Sequence, residues 1–217
     1  MKPDIQWSYS GLSTYEKCAY RYYLGRVEKI GGDEPGPAAR RGTKIHSQIE
    51  AYLNHQTNGL PKVVQSTFGE ELERAREADA NSELKFGLTR EWKPTNFDDA
   101  WARGIIDMVI PDKSIVVDFK TGRYYPDHRE QASFYALAAM SSELTEDAYV
   151  EFWYIDRDEV VEWEFSRKNL DNLKEKWKYK ALKLEEETEW AATPNQFCRW
   201  CPYNANAGGQ CVHGGDE

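Results

Sequence analysis

Residues 101–122, WARGIIDMVIPDKSIVVDFKTG, decide the fold of this chain. Two apolar runs flank the polar turn PDK, and this pattern predicts an antiparallel β-hairpin. Asp107 and Asp118 would then fall at neighbouring positions on adjacent strands, although a slip of one residue would move either side chain to the other face. Because side chains alternate along a strand, Asp118 and Lys120 share one face. We therefore expect the hairpin to gather two carboxylates and one ammonium group.

Outward from this hairpin, hydrophobic periodicity predicts a chain of alternating helices and strands. Helices are predicted at Leu12–Val27, Thr43–His55, Phe68–Ala80 and Arg129–Met140, with a further helix from a cap at Ser166 to about Glu187. Strands are predicted at Glu83–Trp92, Trp101–Ile110, Ser114–Phe119, Tyr149–Ile155 and Glu159–Phe165, and a loop at Gly31–Pro37. This order indicates an α/β fold with a central mixed β-sheet flanked by helices, in a single domain over residues 1–217 with a core at about 40–165.

Composition narrows the function classes. The net charge of −9 argues against a protein that merely coats nucleic acid, because such binding depends on clustered Lys and Arg. It does not exclude a metal-dependent enzyme, since bound cations supply positive charge. No apolar run approaches the roughly 20 residues that span a bilayer, and the N-terminus MKPDIQWSYS lacks the layout of a signal peptide. We expect a cytoplasmic protein of a cell or of a virus-infected host, with no membrane partner.

The carboxylates and the lysine of the hairpin suit phosphodiester hydrolysis. A divalent cation can polarise the phosphate and lower the pKa of the attacking water. Mg²⁺ keeps several of its own waters, so two carboxylates suffice to hold it. An isolated Asp-x-Lys sequence is, however, more often a surface ion pair.

The Asp-x-Lys sequence becomes informative because it is one of five motifs that occur in a fixed order along the chain. The set resembles the RecB-type branch of the PD-(D/E)XK nuclease superfamily over nearly the whole chain. The motifs are Ser10-Gly-Leu-Ser-Thr-Tyr-Glu-Lys-Cys18-Ala-Tyr-Arg-Tyr-Tyr23, Gly42-Thr-Lys-Ile-His46, Gly104-Ile-Ile-Asp107, Asp118-Phe-Lys120 and Gln131-Ala-Ser-Phe-Tyr135. The resemblance implies a restriction-endonuclease-like core that cleaves DNA and leaves a 5′-phosphate.

The resemblance also implies roles for particular residues. The ligands of Mg²⁺ or Mn²⁺ would be His46, Asp107, Asp118 and the main-chain carbonyl of Phe119. Lys120 would orient the attacking water, and Gln131 and Tyr135, one helical turn apart, would line the site. Glu83 would be an additional acid, with Glu91 as its competitor. Taken singly, His46 could equally be a core histidine, and Gln131 and Tyr135 a polar rim.

Four cysteines form a second constellation. Cys18 stands near the start, whereas Cys198, Cys201 and Cys211 lie near the end. In a reducing compartment four thiols suit an iron–sulfur cluster or zinc better than disulfides, with free thiols as a third alternative. The one-plus-three layout resembles that of CRISPR-adaptation nucleases and AddB-type subunits, which implies a [4Fe–4S] cluster. It would form a cysteine clasp between helix 8–30 and the C-terminal segment 166–217. The nine-residue gap before Cys211 is longer than usual in that family, so His213 is an alternative ligand.

Two segments interleave aromatic and basic residues and could bind single-stranded DNA, because bases stack on aromatic rings and phosphates pair with Arg. The candidates are Arg21, Arg26, Arg123 and Tyr124. The tyrosines of these segments could instead pack the core. The sequence thus predicts a metal-dependent exonuclease acting on single-stranded DNA or linear DNA ends, in recombination, repair, or phage or CRISPR DNA processing. A helicase, a recombinase or a CRISPR-adaptation protein would be its partner. The alternatives are a noncatalytic DNA-binding or assembly subunit with the same fold, and a zinc-bearing interaction protein.

Overall fold

The computed structural model describes residues 5–31 and 36–213. The chain divides into two compact units, which we name the core unit (36–177) and the cysteine unit (the described residues 5–31 and 178–213). The helices are α1 (Tyr9–Lys17), α2 (Ala19–Tyr22), α3 (Pro37–Leu53), α4 (Lys62–Glu77), α5 (His128–Ser141) and α6 (Leu170–Glu186). The strands are β1 (Asn81–Leu88), β2 (Pro94–Thr95), β3 (Ala102–Ile110), β4 (Ile115–Lys120), β5 (Ala148–Tyr154) and β6 (Glu159–Phe165). Among the described residues, no helix is both long and apolar enough to cross a membrane.

The core unit is built on one six-stranded sheet with the order β2-β1-β3-β4-β5-β6. Neighbouring strands are antiparallel except β4 and β5, which run parallel. The predicted hairpin is confirmed as β3 and β4, joined by a single 3₁₀ turn at Pro111–Lys113. The parallel pair needs a crossover, and α5 supplies it, as expected for strands that a short turn cannot join. The predicted α/β class with a mixed central sheet flanked by helices is confirmed.

Helices cover both faces of the sheet because each presents an apolar surface to it. The buried residues of α3 and α4 lie at helical spacing and form one cluster with sheet residues that include Met108, Val117 and Phe119. Residues 132–140 of α5 are all buried, as is typical of a helix enclosed on every side. Phe134 of α5 packs against Trp177 of α6, with ring centroids 5.1 Å apart.

Several predicted boundaries were wrong, each for a local reason. The helix predicted at Leu12–Val27 is broken at Cys18, whose backbone is extended (φ −165°, ψ 107°). Its last part, Tyr23–Val27, is wound as a π-helix. The second helix begins at Pro37 rather than Thr43, since proline fits the first helical position. Residues 32–35 of the predicted Gly31–Pro37 loop lie outside the described residues.

Three further predicted boundaries differ from those in the structure. The helix predicted from Phe68 begins at Lys62 and is bent at Phe68, where φ is −124°. The first strand ends at Leu88 rather than Trp92, because the Thr89 side chain accepts hydrogen bonds from the backbone of the following turn. Ser166 caps a 3₁₀ turn that precedes α6.

Candidate active site

The site lies where β3 and β4 separate. Their ladder ends at the Met108–Val117 pair, and the same register places Asp107 opposite Asp118 at the next position. Beyond this point β4 pairs only with β5, as far as Lys120. We call this opening the fork. The Asp107 side chain bridges the two strands at this point, because its Oδ2 accepts a 2.7 Å hydrogen bond from the backbone N–H of Phe119.

Three side chains from separate elements converge on one edge of the fork. His46 of α3, Glu83 of β1 and Asp107 of β3 each offer a ligand atom, and these atoms lie within 4.8 Å of one another. His46 Nε2 lies 2.8 Å from the carbonyl oxygen of Phe119, and its Nδ1 lies 3.3 Å from Asp107 Oδ1. One imidazole, two carboxylates and one carbonyl are hard or borderline donors that suit Mg²⁺ or Mn²⁺. They face a cleft of about 460 Å³.

Glu83 reaches this group from a strained backbone. It lies within β1 and faces Asp107 in the strand register, yet its φ is +47°, in the left-handed region. That conformation costs a non-glycine residue about 1–3 kcal/mol, and such strain concentrates at functional sites. Glu91 is exposed in the turn after β1 and does not line the cleft. The structure therefore places Glu83, and not its competitor Glu91, beside His46 and Asp107.

Charge is concentrated around His46. Burial by itself would lower its pKa, but the hydrogen bond to Asp107 and the negative charges of Asp107 and Asp118 raise the pKa to about 8. Burial raises the pKa of Glu83, and the nearby charges of Asp107 and Glu50 raise it further. Glu50 was not predicted as a site residue, although it lines the cleft one helical turn after His46, a spacing that could have revealed it. Three carboxyl groups, those of Glu50, Glu83 and Asp107, therefore line the cleft together with the one imidazole of His46.

On the other side of the fork, Gln131 of α5 connects the remaining polar residues. Its Nε2 donates to Asp118 Oδ1 and to the Tyr135 hydroxyl, both at 2.9 Å, and its Oε1 accepts a 2.9 Å hydrogen bond from Lys120 Nζ. Lys120 Nζ also lies 2.6 Å from Asp118 Oδ2 and 4.6 Å from the ring centre of Phe152. The predicted Asp118, Lys120, Gln131 and Tyr135 thus form one connected network.

Burial sets the electrostatics of this network. Asp118 is only 3% exposed, and burial raises its pKa despite the opposing charge of Lys120. Burial also raises the pKa of Tyr135 well above its usual value, so its hydroxyl stays protonated. Asp118 is not part of the compact group of His46, Glu83 and Asp107. Its carboxylate is instead engaged by Lys120 and Gln131.

Comparison with known proteins shows the family to which this chain belongs. The sequence profile of the PD-(D/E)XK nuclease superfamily matches residues 6–206. The chain belongs to this superfamily. A crystal structure from Eubacterium rectale, of a protein with a provisional exonuclease assignment, superposes with a TM-score of 0.54 at 14% identity, over 93% of this chain and 88% of that chain. The structure of a protein designated SSO0001 gives a TM-score of 0.47 at 18% identity, over 91% and 83% of the two chains. No curated protein matches this PD-(D/E)XK sequence significantly.

The loop after Lys120 carries aromatic residues on the surface of this PD-(D/E)XK core. Tyr124 and Tyr125 are 45% and 37% exposed. The Arg123 guanidinium lies 5.0 Å from the ring centre of Tyr125. His128, a residue missed by sequence reasoning, contacts both tyrosine rings and hydrogen-bonds the Tyr154 hydroxyl through Nδ1. The predicted Arg123 and Tyr124 therefore belong to an exposed aromatic and basic surface close in sequence to Lys120.

The cysteine unit gathers its four thiols around one cavity. A pocket of about 310 Å³ is lined by Cys18, Cys198, Cys201 and Cys211. Extended backbone at Cys18 separates α1 from α2, and Asn204 pairs with Cys211 as an isolated bridge. Burial raises the pKa of the Cys201 thiol, the Arg21 charge opposes this, and Cys18 and Cys211 raise it further. His213 lines the same pocket.

The N-terminal aromatic run of the same unit serves mainly in packing. Tyr22 is buried and stacks on Trp190, with ring centroids 6.0 Å apart. Tyr23 stacks on the same indole at 5.4 Å. The predicted Arg21 lines the cysteine pocket, whereas Arg26 is exposed near the end of the π-helix. The core-packing alternative thus describes Tyr22, whereas Tyr23 is only partly buried.

Proposed function

We propose that this protein is a Mg²⁺- or Mn²⁺-dependent deoxyribonuclease with its active site at the fork. The observation that carries the proposal is that a group of metal-ligand side chains and a positioned lysine lie on opposite sides of the fork. His46, Glu83 and Asp107 form a compact ligand group on one side. Lys120 is held by Asp118 and Gln131 on the other. Membership of a nuclease superfamily supports the same reaction class.

The donor set fits a divalent cation of this kind. His46, Glu83, Asp107 and the Phe119 carbonyl would hold it. Asp118, which lies opposite Asp107 in the strand register, would join as a further ligand while keeping its ion pair with Lys120. Such a cation supplies Lewis acidity and a more acidic water. The Lys120 ammonium would orient the attacking water and stabilise negative charge on the phosphate. Gln131 would keep Lys120 and Asp118 in place, and Tyr135 would support Gln131.

We further propose that the substrate is DNA with a free end or an unpaired strand, cleaved to leave a 5′-phosphate. The exposed surface of Arg123, Tyr124 and Tyr125 supports this, since unpaired bases stack on aromatic rings whereas paired bases do not expose their faces. Recombination, repair, or phage or CRISPR DNA processing would require such an activity. A helicase, a recombinase or a CRISPR-adaptation protein would supply the unwound or opened DNA.

Matched substitutions in β4 and in the turn that precedes it test the nuclease. Asp118→Ala and Lys120→Ala should abolish Mn²⁺-dependent loss of end-labelled DNA. Asp112→Ala and Lys113→Ala are the matched controls, because these exposed residues of the same charges lie in the connecting turn. Linear and circular single- and double-stranded DNA, with free or blocked ends, would define the substrate.

Two results would overturn the proposal. Wild-type protein that degrades none of these DNAs with either cation would favour a noncatalytic DNA-binding or assembly subunit. Equal activity in the site variants and their controls would place catalysis elsewhere. Circular dichroism of each variant shows whether the fold survives, so that a loss of activity is not confused with unfolding.

For the cysteine unit we propose a [4Fe–4S] cluster bound by Cys18, Cys198, Cys201 and Cys211. Tetrahedral zinc with Zn–S bonds of about 2.3 Å would bring the sulfurs to about 3.8 Å from one another. Among the described residues no three cysteine sulfurs lie within 4.8 Å of one another. A cluster binds each thiolate through a different iron and suits this wider spacing. Anaerobically purified protein should be brown and contain iron and acid-labile sulfide, whereas colourless protein with stoichiometric zinc would contradict the proposal.

A further inference from the structure

A row of two cations and two aromatic rings lies on the surface of the cysteine unit. Lys17 Nζ is 5.6 Å from the ring centre of Phe197. The Phe197 and Trp200 rings follow, with centroids 6.5 Å apart. The Arg199 guanidinium lies over the Trp200 ring at 3.7 Å. The row therefore has its two cations at the ends and its two rings in the middle.

The row is exposed and firmly anchored. Trp200 is 62% exposed, which is unusual for so large an apolar side chain. Arg199 and Trp200 lie in a 3₁₀ turn whose backbone is closed by a 2.9 Å hydrogen bond from Cys201 N–H to the Cys198 carbonyl. Because the turn orders the backbone, binding a ligand there would cost little conformational entropy.

The segment that carries Arg199 and Trp200 favours an anionic ligand. The chain has 37 acidic residues, yet residues 190–213 contain none. Within the described parts of the chain, no carboxylate pairs with Arg199. Trp and Arg also anchor protein interfaces, but there they usually lie in an apolar centre with a mixed polar rim. A segment with a cation and no acid fits a phosphate backbone better.

We propose that Phe197, Trp200 and Arg199, with Lys17 beside Phe197, form a binding site for single-stranded DNA, with a base stacked beside Trp200 and a phosphate at Arg199. A duplex does not fit, because the faces of its bases are covered by their neighbours. The choice of DNA rests on the proposed nuclease function. None of these residues is among those proposed for catalysis.

Binding of a short fluorescent oligothymidylate, followed by anisotropy in the Lys120→Ala background to prevent cleavage, tests the site. Trp200→Ala should weaken binding about tenfold, the factor that about 1.4 kcal/mol of stacking represents, and Trp200→Phe should restore most of it. Arg199→Ala should weaken binding and reduce the salt dependence by about one counterion. Tyr179→Ala is the matched control, since Tyr179 is 61% exposed with Lys183 Nζ 4.4 Å from its ring.

Metal content is measured for every variant, because Trp200 lies between two cysteines. The inference would be overturned if Trp200→Ala and Arg199→Ala proteins kept the wild-type metal content and bound DNA like the control. The row would then be better explained as a binding surface for a protein partner. The inference would also be overturned if Trp200→Ala weakened the binding of a blunt-ended duplex as much as the binding of the oligothymidylate. Protein that binds through Trp200 but never cleaves DNA would contradict only the nuclease proposal, so the two failures are distinguishable.

Discussion

Replacing Gln131 with leucine would remove the connection between Lys120 and Asp118 while nearly preserving the side-chain volume. The substitution removes hydrogen bonds to Lys120, Asp118 and Tyr135. Two of these involve charged partners and contribute about 1.5–3 kcal/mol each, and the third contributes about 1 kcal/mol. The apolar replacement offsets part of the loss. We expect the free energy of unfolding to fall by about 3 kcal/mol, which lowers Tm by about 6–12 °C.

The effect on catalysis should appear in kcat rather than KM. Gln131 does not line the open cleft, so substrate binding should change little. Lys120 would keep only its ion pair with Asp118 and its contact with the Phe152 ring. If the less well oriented Lys120 stabilises the transition state by about 2.7 kcal/mol less than in the wild type, kcat falls about 100-fold. Single-turnover cleavage of end-labelled DNA, well below the Tm of the variant, measures this.

Ser133→Ala on the same helix is the control. Ser133 is also buried, but its hydroxyl donates only to the Glu130 carbonyl of α5. This variant should lose about 1 kcal/mol of stability and keep kcat within about twofold of wild type. A Gln131→Leu protein that is folded and cleaves within about threefold of wild type would refute the positioning role.

Two further predictions concern stability. In EDTA, the pKa of His46, raised to about 8, stabilises the folded protein below the unfolded-state pKa of about 6.5, and this contribution is lost as the pH rises through 8. Because the side chain is 28% exposed, the contribution is about 1–2 kcal/mol. The difference in Tm between wild type and His46→Gln should therefore shrink between pH 6 and pH 9, and a constant difference would contradict this. Gly104→Ala would place a Cβ 2.7 Å from the Phe86 ring and should cost about 1–3 kcal/mol in urea unfolding, whereas Gly122→Ala, with nothing within 4 Å, should change stability by less than about 0.5 kcal/mol. Equal costs at the two glycines would contradict the steric explanation.

The sequence was most informative where periodicity is local. Alternation along β4 correctly predicted that Asp118 and Lys120 share a face, where both contact Gln131. Helical spacing predicted the apolar side of α3. Boundaries were less accurate because they depend on single residues. The extended backbone at Cys18 and the turn after Leu88 interrupt segments whose hydrophobic pattern continues beyond them.

The sequence by itself determined the α/β class, the hairpin and the set of candidate residues, because these depend on residue type and short spacing. Only the tertiary structure decided which candidates meet. It brought Glu83 rather than Glu91 to His46, through a strained backbone, and it placed Asp118 in contact with Lys120 and Gln131. The physical reason is that these contacts join α3, three strands and α5 across long stretches of chain. Packing of helices on the sheet fixes such distances, and no local pattern encodes them.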